Sequence, residues 1–253
     1  MSSLAIALIV LACVFGSALL GIYLRGVLPE HHLGADAKDV VKLATGLVAT
    51  MSALVLGLLI SSAKGSFDKI NDELLQNAAK VVQLDRALAG YGPETKEVRQ
   101  SIRRHFTNSV DLLLSGDESQ LAKLDTPEAV NSVERLQAGL AALSPHSDAQ
   151  RQAQARALQI ADEMFSTRWL VVLQKDGSIS TPLLIVLVSW LAIIFAAFGL
   201  FAPRNKTVIA ALFICSLAAA GAIFLILEMD RPLFGMIRIS GAPLRAALAH
   251  LGQ

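Results

Sequence analysis

Few side chains in this 253-residue sequence are of the types that catalyse reactions, and none stands in a known catalytic pattern. No glycine-rich phosphate loop, His-Glu-x-x-His or Gly-x-Ser-x-Gly motif occurs. His31 and His32 are neighbours, with Glu30 and Asp36 close by. Because adjacent side chains diverge on a helix or a strand, a solvated loop is favoured over a metal site. We expect no enzyme, no metal and no cofactor.

Small and hydroxyl-bearing residues recur between residues 43 and 63, at spacings of four, three, four and four. They are Gly46, Thr50, Ala53, Gly57 and Ser61. These spacings place them on one face of a helix. Such a face lets helices pack closely, and it equally suits a narrow pore, where hydroxyl groups replace part of an ion's hydration shell. The spacing by itself favours packing, and both interpretations stay open.

A charged cluster near the C-terminus is a second candidate site. It contains Glu228, Asp230 and Arg231, followed by Pro232 and Phe234. Glu228 and Arg231 are spaced to pair on a helix, which the proline then ends. One interpretation is an interfacial cluster that fixes the depth of a membrane helix. The other is a hydrogen-bonded latch between the membrane helices and the rest of the chain, with Phe234 packed beneath it.

A basic patch is a third candidate. It comprises Lys96, Arg99, Arg103 and Arg104 and is partly offset by Glu94 and Glu97. A solvated helix face is the default interpretation. The alternative is a surface that attracts anions toward a vestibule.

The elements that must position these residues follow from the distribution of charge. The sequence is 54% hydrophobic and only 17% charged, and 30 of its 43 charged side chains (22 basic and 21 acidic) lie between Lys64 and Asp176. A soluble globule does not have this composition. The pattern indicates a membrane protein with one water-facing insert. A net charge of +1 gives no reason to expect a nucleic-acid partner.

Four uncharged runs each reach the roughly 20 residues that a helix needs to cross a bilayer. They cover residues 2–24, 43–63, 177–203 and 207–227. No basic residue precedes the first run, so a retained helix is favoured over a cleaved signal peptide. No carboxylate, lysine, arginine or histidine side chain lies inside a run, which counts against proton-coupled transport.

The short connections join the four runs into two hairpins, so the termini and the insert share one side of the membrane. We expect an all-α protein with a first transmembrane hairpin, a helical extramembrane domain, a second hairpin and an amphipathic tail. These parts cover residues 1–63, 64–176, 177–228 and 229–253. The basic density of the short loops favours placing those loops in the cytosol.

Apolar residues in the insert recur at helical spacing, and glycine and proline separate the segments. The second span should continue as one helix to Gly90-Tyr91-Gly92-Pro93, and further helices should begin at Pro93, near Thr126 and near Ser147. A short helix after Ser240 carries Leu244, Ala247, Leu248 and Leu251 on one face. We expect that face on the membrane or on a neighbouring subunit.

Two blocks of the sequence resemble the bestrophin-like family of bacterial membrane proteins, long catalogued as a domain of unknown function. One block runs from Gly46 to Phe67, and the other from Glu228 through Gly235 to Pro243. The likeness extends over nearly the whole chain. Through a distant similarity to the bestrophin anion channels, it implies a homo-oligomer around an axis lined by the second helix. It also implies that the insert and both termini lie in the cytosol, which is the opposite of the orientation that the loop charges favour.

The sequence and the resemblance together favour a homo-oligomeric ion channel of the bacterial inner membrane. Thr50, Gly57 and Ser61 would face a pore that conducts anions such as chloride, and Gly46 and Ala53 would permit close approach of helices. The charged cluster at residues 228–234 would couple the spans to the insert. The expected partners are copies of this chain, bilayer lipid and inorganic ions. The alternative is a non-conducting sensor or scaffold that oligomerises through its helical domain.

Overall fold

A computed structural model of the chain describes residues 2–29, 34–115, 127–173, 181–230 and 235–252. Every regular element in these ranges is helical, which confirms the all-α prediction for them. The helices are α1 (Ser3–Arg25), α2 (Ala35–Tyr91), a 3₁₀ turn (Pro93–Thr95), α3 (Lys96–Ser115), α4 (Pro127–Ala141), α5 (Asp148–Leu173), α6 (Thr181–Phe201), α7 (Lys206–Met229) and α8 (Ala242–His250). Four of them, α1, α2, α6 and α7, are long and apolar enough to cross a membrane.

The long helix α2 continues without a break through 57 residues, as the apolar periodicity predicts. At 1.5 Å per residue it is about 85 Å long, whereas the hydrocarbon core of a bilayer is about 30 Å thick. More than half of α2 must therefore lie outside the hydrocarbon. It ends at Tyr91, because Gly92 adopts a positive φ of 137° and Pro93 starts the next turn.

The chain divides into two compact units. The first unit contains residues 1–66 and 178–230, and the second contains residues 67–177 and 231–253. In the first unit α1, α6 and α7 share an apolar core that includes Val14, Phe195 and Ile223. The start of α2 joins them through Leu59 and Ala63, which pack with Leu187 and Ile226. All four membrane-competent helices therefore contribute to the packing of the first unit.

Two glycines bring α1 and α6 into close contact. A Cβ atom added at Gly199 would overlap the Ala18 carbonyl oxygen and lie 3.1 Å from the Ile22 nitrogen. One added at Gly21 would overlap the Ala196 carbonyl oxygen and lie 2.8 Å from the Leu200 nitrogen. Small residues of this kind let membrane helices pack backbone against backbone.

The ends of α1 and α6 are tied together by arginine side chains. Arg25 donates to the carbonyl oxygen of Ala202, just after α6. Arg204 donates through Nη2 to the carbonyl oxygen of Ile22, at 3.2 Å, in the last turn of α1. Carbonyl groups at a helix C-terminus lack intrahelical donors and carry partial negative charge, so a guanidinium group satisfies both needs. Two basic residues of the short loops are thus used as helix caps.

In the second unit α2, α3, α4 and α5 enclose one apolar core. Its fully buried members include Leu84 and Leu88 of α2, Leu140 of α4 and Ala157 of α5. Glutamine side chains of α5 satisfy carbonyl groups at the ends of neighbouring helices. Gln154 Nε2 donates to Leu140 and Leu143, both at 2.9 Å, and Gln150 Nε2 donates to Tyr91 at 3.1 Å.

The C-terminal helix α8 packs inside the second unit of its own chain. Leu244 and Ala247 are buried with Ala78 of α2 and Val110 of α3, and Leu251 enters the main core. The helix itself and its apolar face were predicted correctly. The predicted location of that face, on the membrane or on a neighbouring subunit, was wrong because α2 and α3 already cover it.

Candidate functional site

The apolar part of α2 has one buried face, which packs within the first unit. Thr45, Ser52, Leu59 and Ala63 on this face are at most 8% exposed. The Ser52 hydroxyl donates to the Val48 carbonyl at 2.8 Å, so its polarity is satisfied within the helix. Val48, Ala49, Val55 and Leu56 lie beside this face, partly buried and packed against the same cores.

The predicted stripe of small residues lies away from that buried face. All five members, Gly46, Thr50, Ala53, Gly57 and Ser61, are exposed. From Gly46 to Ser61 the stripe rises about 22 Å at 1.5 Å per residue, which covers most of the thickness of a hydrocarbon core. The structure thus places the five residues along one open face of a helix that is long enough to cross the membrane.

The glycines of the stripe have no packing role within the described part of the chain. A Cβ atom added at Gly46 or Gly57 would have no atom within 4 Å, other than those of its own helix. This contrasts with Gly21 and Gly199, where an added Cβ would overlap the backbone of the facing helix. The close approach predicted for Gly46 is therefore not made to another of the described helices of this chain.

The hydroxyl group of Thr50 is already used as a donor. Thr50 Oγ1 donates to the Leu47 carbonyl of its own helix, at 2.7 Å. Its oxygen lone pairs remain to accept a hydrogen bond or to approach a cation. In this rotamer the side chain offers an acceptor, and donation to an anion requires the hydroxyl proton to leave Leu47.

Large apolar side chains flank the stripe on the same open side of α2. Leu43, Leu47, Leu54 and Leu58 are each between 64% and 77% exposed. A contiguous apolar surface of this kind is covered by lipid or by protein in a membrane protein. The leucines on the open face of α2 are therefore suited to contact with lipid or with protein.

The predicted latch is partly inside the described residues. Glu228 is only 5% exposed, and both it and Asp230 have interaction partners. A carboxylate in such surroundings needs a partner, because burial of an unpaired charge is costly. Glu228 is therefore not solvated, and the choice between a latch and a cluster that fixes helix depth stays a prediction. Arg231 and Phe234, the other members of the predicted latch, lie outside the described residues.

One residue of the basic patch on α3, Arg99, forms an ion pair. Arg99 donates from Nε and Nη2 to the two carboxylate oxygens of Asp85, at 2.8 and 2.9 Å. Asp85 is 1% exposed and also accepts from the Gly252 backbone N–H at 3.0 Å. Lys96, Arg103 and Arg104 are exposed. Arg99 is therefore a structural residue and is not available to attract anions.

The pKa of Asp85 is held below its ordinary value of 3.8. Burial alone would raise this pKa, since it disfavours the charged form. The hydrogen bonds from Arg99 and from the Gly252 N–H outweigh that effect and stabilise the carboxylate. Asp85 is not in the charge-free part of α2, since it lies about 33 Å along the helix from the end of residues 43–63, at 1.5 Å per residue.

The proposed solvated loop at Glu30, His31 and His32 lies outside the described residues, and Asp36 is exposed. Within the ranges that the structure describes, no group of three or more His, Cys, Asp or Glu side chains is placed to hold a metal ion. Cys13 and Cys215 are free thiols on exposed positions of α1 and α7.

The ion pair of Asp85 was not predicted from the sequence. One signal for it exists, since Asp85 interrupts the buried apolar row formed by Val81, Leu84 and Leu88 of α2. A carboxylate in a buried helix face needs a cationic or hydrogen-bonding partner. The sequence does not say which of the basic residues of α3 supplies it.

A family model described as a Bestrophin-like domain matches residues 11–244, which is nearly the whole chain. No curated protein sequence and no solved structure matches the chain significantly.

Proposed function

The chain belongs to the bestrophin-like family, and on that basis we propose that it forms a homo-oligomeric ion channel whose pore is lined by α2. The observation that carries this proposal is the open stripe Gly46 to Ser61. Its five residues are exposed and are small or hydroxylic, and a Cβ atom added at either of its glycines would meet no atom of another described helix within 4 Å. A face that the subunit leaves open across most of the membrane thickness is the expected surface for a shared axis.

Within this channel Thr50, Gly57 and Ser61 face the ion path, and Gly46 and Ala53 allow α2 helices of adjacent copies to approach one another. The stripe holds no charged side chain, so ions must pass by partial dehydration against hydroxyl groups and backbone. The family likeness favours an anion such as chloride as the conducted ion. In that case the Thr50 hydroxyl must rotate away from Leu47 to donate to the passing anion.

The charged end of α7 has a coupling role in this proposal. Glu228 and Asp230 transmit changes in the charged helical domain to the membrane helices, together with Arg231 and Phe234. The burial of Glu228 supports this role, since a buried carboxylate holds a defined geometry only with its partner in place. The protein resides in the bacterial inner membrane, with the charged domain and both termini in the cytosol, and it has no enzymatic activity.

The channel is tested by ion flux in liposomes that contain the purified protein. Thr50→Leu and Gly57→Leu add bulk to the open face and should each reduce flux by about tenfold or more while the oligomer persists in size-exclusion chromatography. Gly16→Leu on α1 is the matched control, since Gly16 is exposed and an added Cβ there also meets no atom within 4 Å. Unchanged ion flux in both α2 variants would show that this helix does not line the pore.

A non-conducting scaffold is the second candidate, and the exposed leucines of α2 support it. Leu43, Leu47, Leu54 and Leu58 form an apolar surface that suits assembly of copies without any water-filled path. This candidate predicts an oligomer that is inert in planar bilayers and that retains a specific soluble partner through the charged domain. A chloride-dependent current that Gly57→Leu abolishes would exclude it.

A further inference from the structure

The last described residues of the chain, 241–252, are attached to the second unit at a buried carboxylate. Asp85 of α2 is 1% exposed and is bound by Arg99 of α3 through two hydrogen bonds, at 2.8 and 2.9 Å. Its Oδ2 atom also accepts the backbone N–H of Gly252, at 3.0 Å. The carboxylate therefore joins α2, α3 and the C-terminal segment at one point.

The position of Gly252 depends on its being a glycine. Its φ is +83°, a left-handed conformation that other residues adopt only with strain. An added Cβ would lie 3.4 Å from Arg103 Nη1, an ordinary contact with the end of a flexible side chain, so the φ value and not the space requires a glycine here. This conformation turns the backbone so that the Gly252 N–H reaches Asp85.

The rest of the segment packs in an apolar groove formed by α2 and α3. Leu244 and Ala247 of α8 are buried together with Ala78 and Val110, which belong to α2 and α3. At the start of the segment, Gly241 lies so close to Leu114 that an added Cβ would be 2.7 Å from its Cδ1 atom. The segment thus fits a groove with an apolar floor and a carboxylate at its far end.

Several features indicate that this segment is helical only while it is packed in the groove. The helix α8 has nine residues, whereas isolated helices shorter than about 12 residues are marginal in water. Its N-cap, Gly241, makes no side-chain capping bond, and Arg245 and His250 on its outer side are exposed. Terminal elements with one buried face and few buried residues open locally at a lower free energy than a core.

The groove does not depend on the segment in the same way. The main core of the second unit draws its buried residues from α2, α3, α4 and α5, apart from Leu251. The Asp85–Arg99 pair links α2 to α3 alone, so it stays formed when the segment leaves. The empty groove would still present a charged acceptor for a main-chain N–H.

We propose that residues 241–252 form a strap that docks onto the second unit and releases from it as one piece, and that Asp85 is the anchor. Asp85 holds the strap by accepting the Gly252 N–H, while Arg99 fixes the carboxylate in place. Asp85 is a positioning residue in this arrangement. This inference does not depend on whether the protein conducts ions.

Hydrogen–deuterium exchange of the full-length protein in detergent tests the strap. Gly252→Pro removes the donated N–H but also forces φ away from +83°. Gly252→Ala strains the same φ and keeps the N–H, so the excess effect of Gly252→Pro reports the hydrogen bond to Asp85. Asp85→Asn removes the charge of the anchor. Asp111→Asn is the matched control, since Asp111 is an exposed carboxylate on α3. Loss of a hydrogen bond to a charged group should raise the exchange rate of peptides within 242–252 by roughly tenfold or more. Peptides from α5 should keep the wild-type rate, and the control should match wild type throughout.

Two results would overturn the proposal. Exchange of residues 242–252 that is no faster in Gly252→Pro than in Gly252→Ala would show that Asp85 does not hold the segment. An equal rise in α5 in Gly252→Pro would show that the segment is part of the core and does not release by itself. Should Asp85→Asn unfold the whole unit, the result for Gly252→Pro decides between the two accounts.

Discussion

Replacement of Gly199 by alanine tests how the first unit is packed. A Cβ atom at this position would overlap the Ala18 carbonyl oxygen and lie 2.9 Å from the Ala18 carbonyl carbon and 3.1 Å from the Ile22 nitrogen. Ordinary contacts of a Cβ atom are 3.4–4 Å, and the obstructing atoms are backbone, so α1 and α6 must move apart. Overpacking of a close-packed contact costs about 1–3 kcal/mol.

The expected loss of stability is large enough to measure by thermal unfolding. For a chain of this size, 1 kcal/mol corresponds to about 2–4 °C in Tm, so Gly199→Ala should lower Tm by about 2–12 °C. The fluorescence of Trp190, which lies on α6, reports the transition in detergent when Trp169, the second tryptophan, is replaced by phenylalanine in every variant compared. Gly16→Ala on α1 is the matched control, because an added Cβ there meets no atom within 4 Å.

The same assay connects packing to the open face of α2. Gly57→Ala should leave Tm unchanged or raise it slightly, since its added Cβ also meets no atom within 4 Å and alanine favours a helix over glycine by up to about 1 kcal/mol. Equal Tm values for Gly199→Ala and Gly16→Ala would refute the close contact of α1 with α6. A loss of stability in Gly57→Ala as large as in Gly199→Ala would show that the α2 face is tightly packed and is not open.

Three further predictions concern the second unit and the short loops. Because the pKa of Asp85 is lowered, its contribution to stability is complete above its ordinary value of 3.8 and is lost as the pH falls through the lowered pKa. Asp85→Asn should lower the free energy of unfolding by about 1–3 kcal/mol at pH 7. It should also make the loss of stability below pH 3.8 less steep than in the wild type. Identical stability profiles in acid for variant and wild type would contradict this. Arg204→Ala should lower the free energy of unfolding by about 0.5–1.5 kcal/mol and speed hydrogen exchange at the end of α1. Lys206→Ala is the control, because Lys206 is exposed, and it should change neither quantity. Equal exchange rates in the two variants would show that Arg204 does not cap α1. Leu84 is 0% exposed, so Leu84→Ala leaves a cavity and should lower the free energy of unfolding in urea by about 2–5 kcal/mol. Gln83→Ala is the control, because Gln83 is exposed, and it should change this free energy little. A small loss in both variants would show that Leu84 is not in the core.

Much of the helical layout could be predicted from the sequence because glycine and proline mark its boundaries. The long helix α2 was predicted to stop at Gly90-Tyr91-Gly92-Pro93, and it ends at Tyr91. Pro127 and Asp148 were correctly placed at the start of helices. These signals are local, since a missing N–H or a positive φ acts on the adjacent turn whatever surrounds it.

Contacts between helices could not be predicted in the same way. The sequence showed that α8 has an apolar face, but not that α2 and α3 provide its seat. It showed small residues on α2 but not that the close glycine contacts of the first unit are at Gly21 and Gly199. Periodicity defines which side of a helix is apolar or small, whereas the identity of the facing helix depends on the path of the whole chain. The same limit applies to Asp85, whose partner Arg99 comes from a different helix.

The arrangement of the purified oligomer around its axis, determined by cryo-electron microscopy in a lipid nanodisc, tests the central claim most directly. The account predicts that α2 of each copy borders the axis and that Thr50, Gly57 and Ser61 face a continuous path filled with water. An axis occupied by lipid, an axis closed by tightly packed α2 helices, or an assembly in which this face of α2 points to the surrounding bilayer would contradict it.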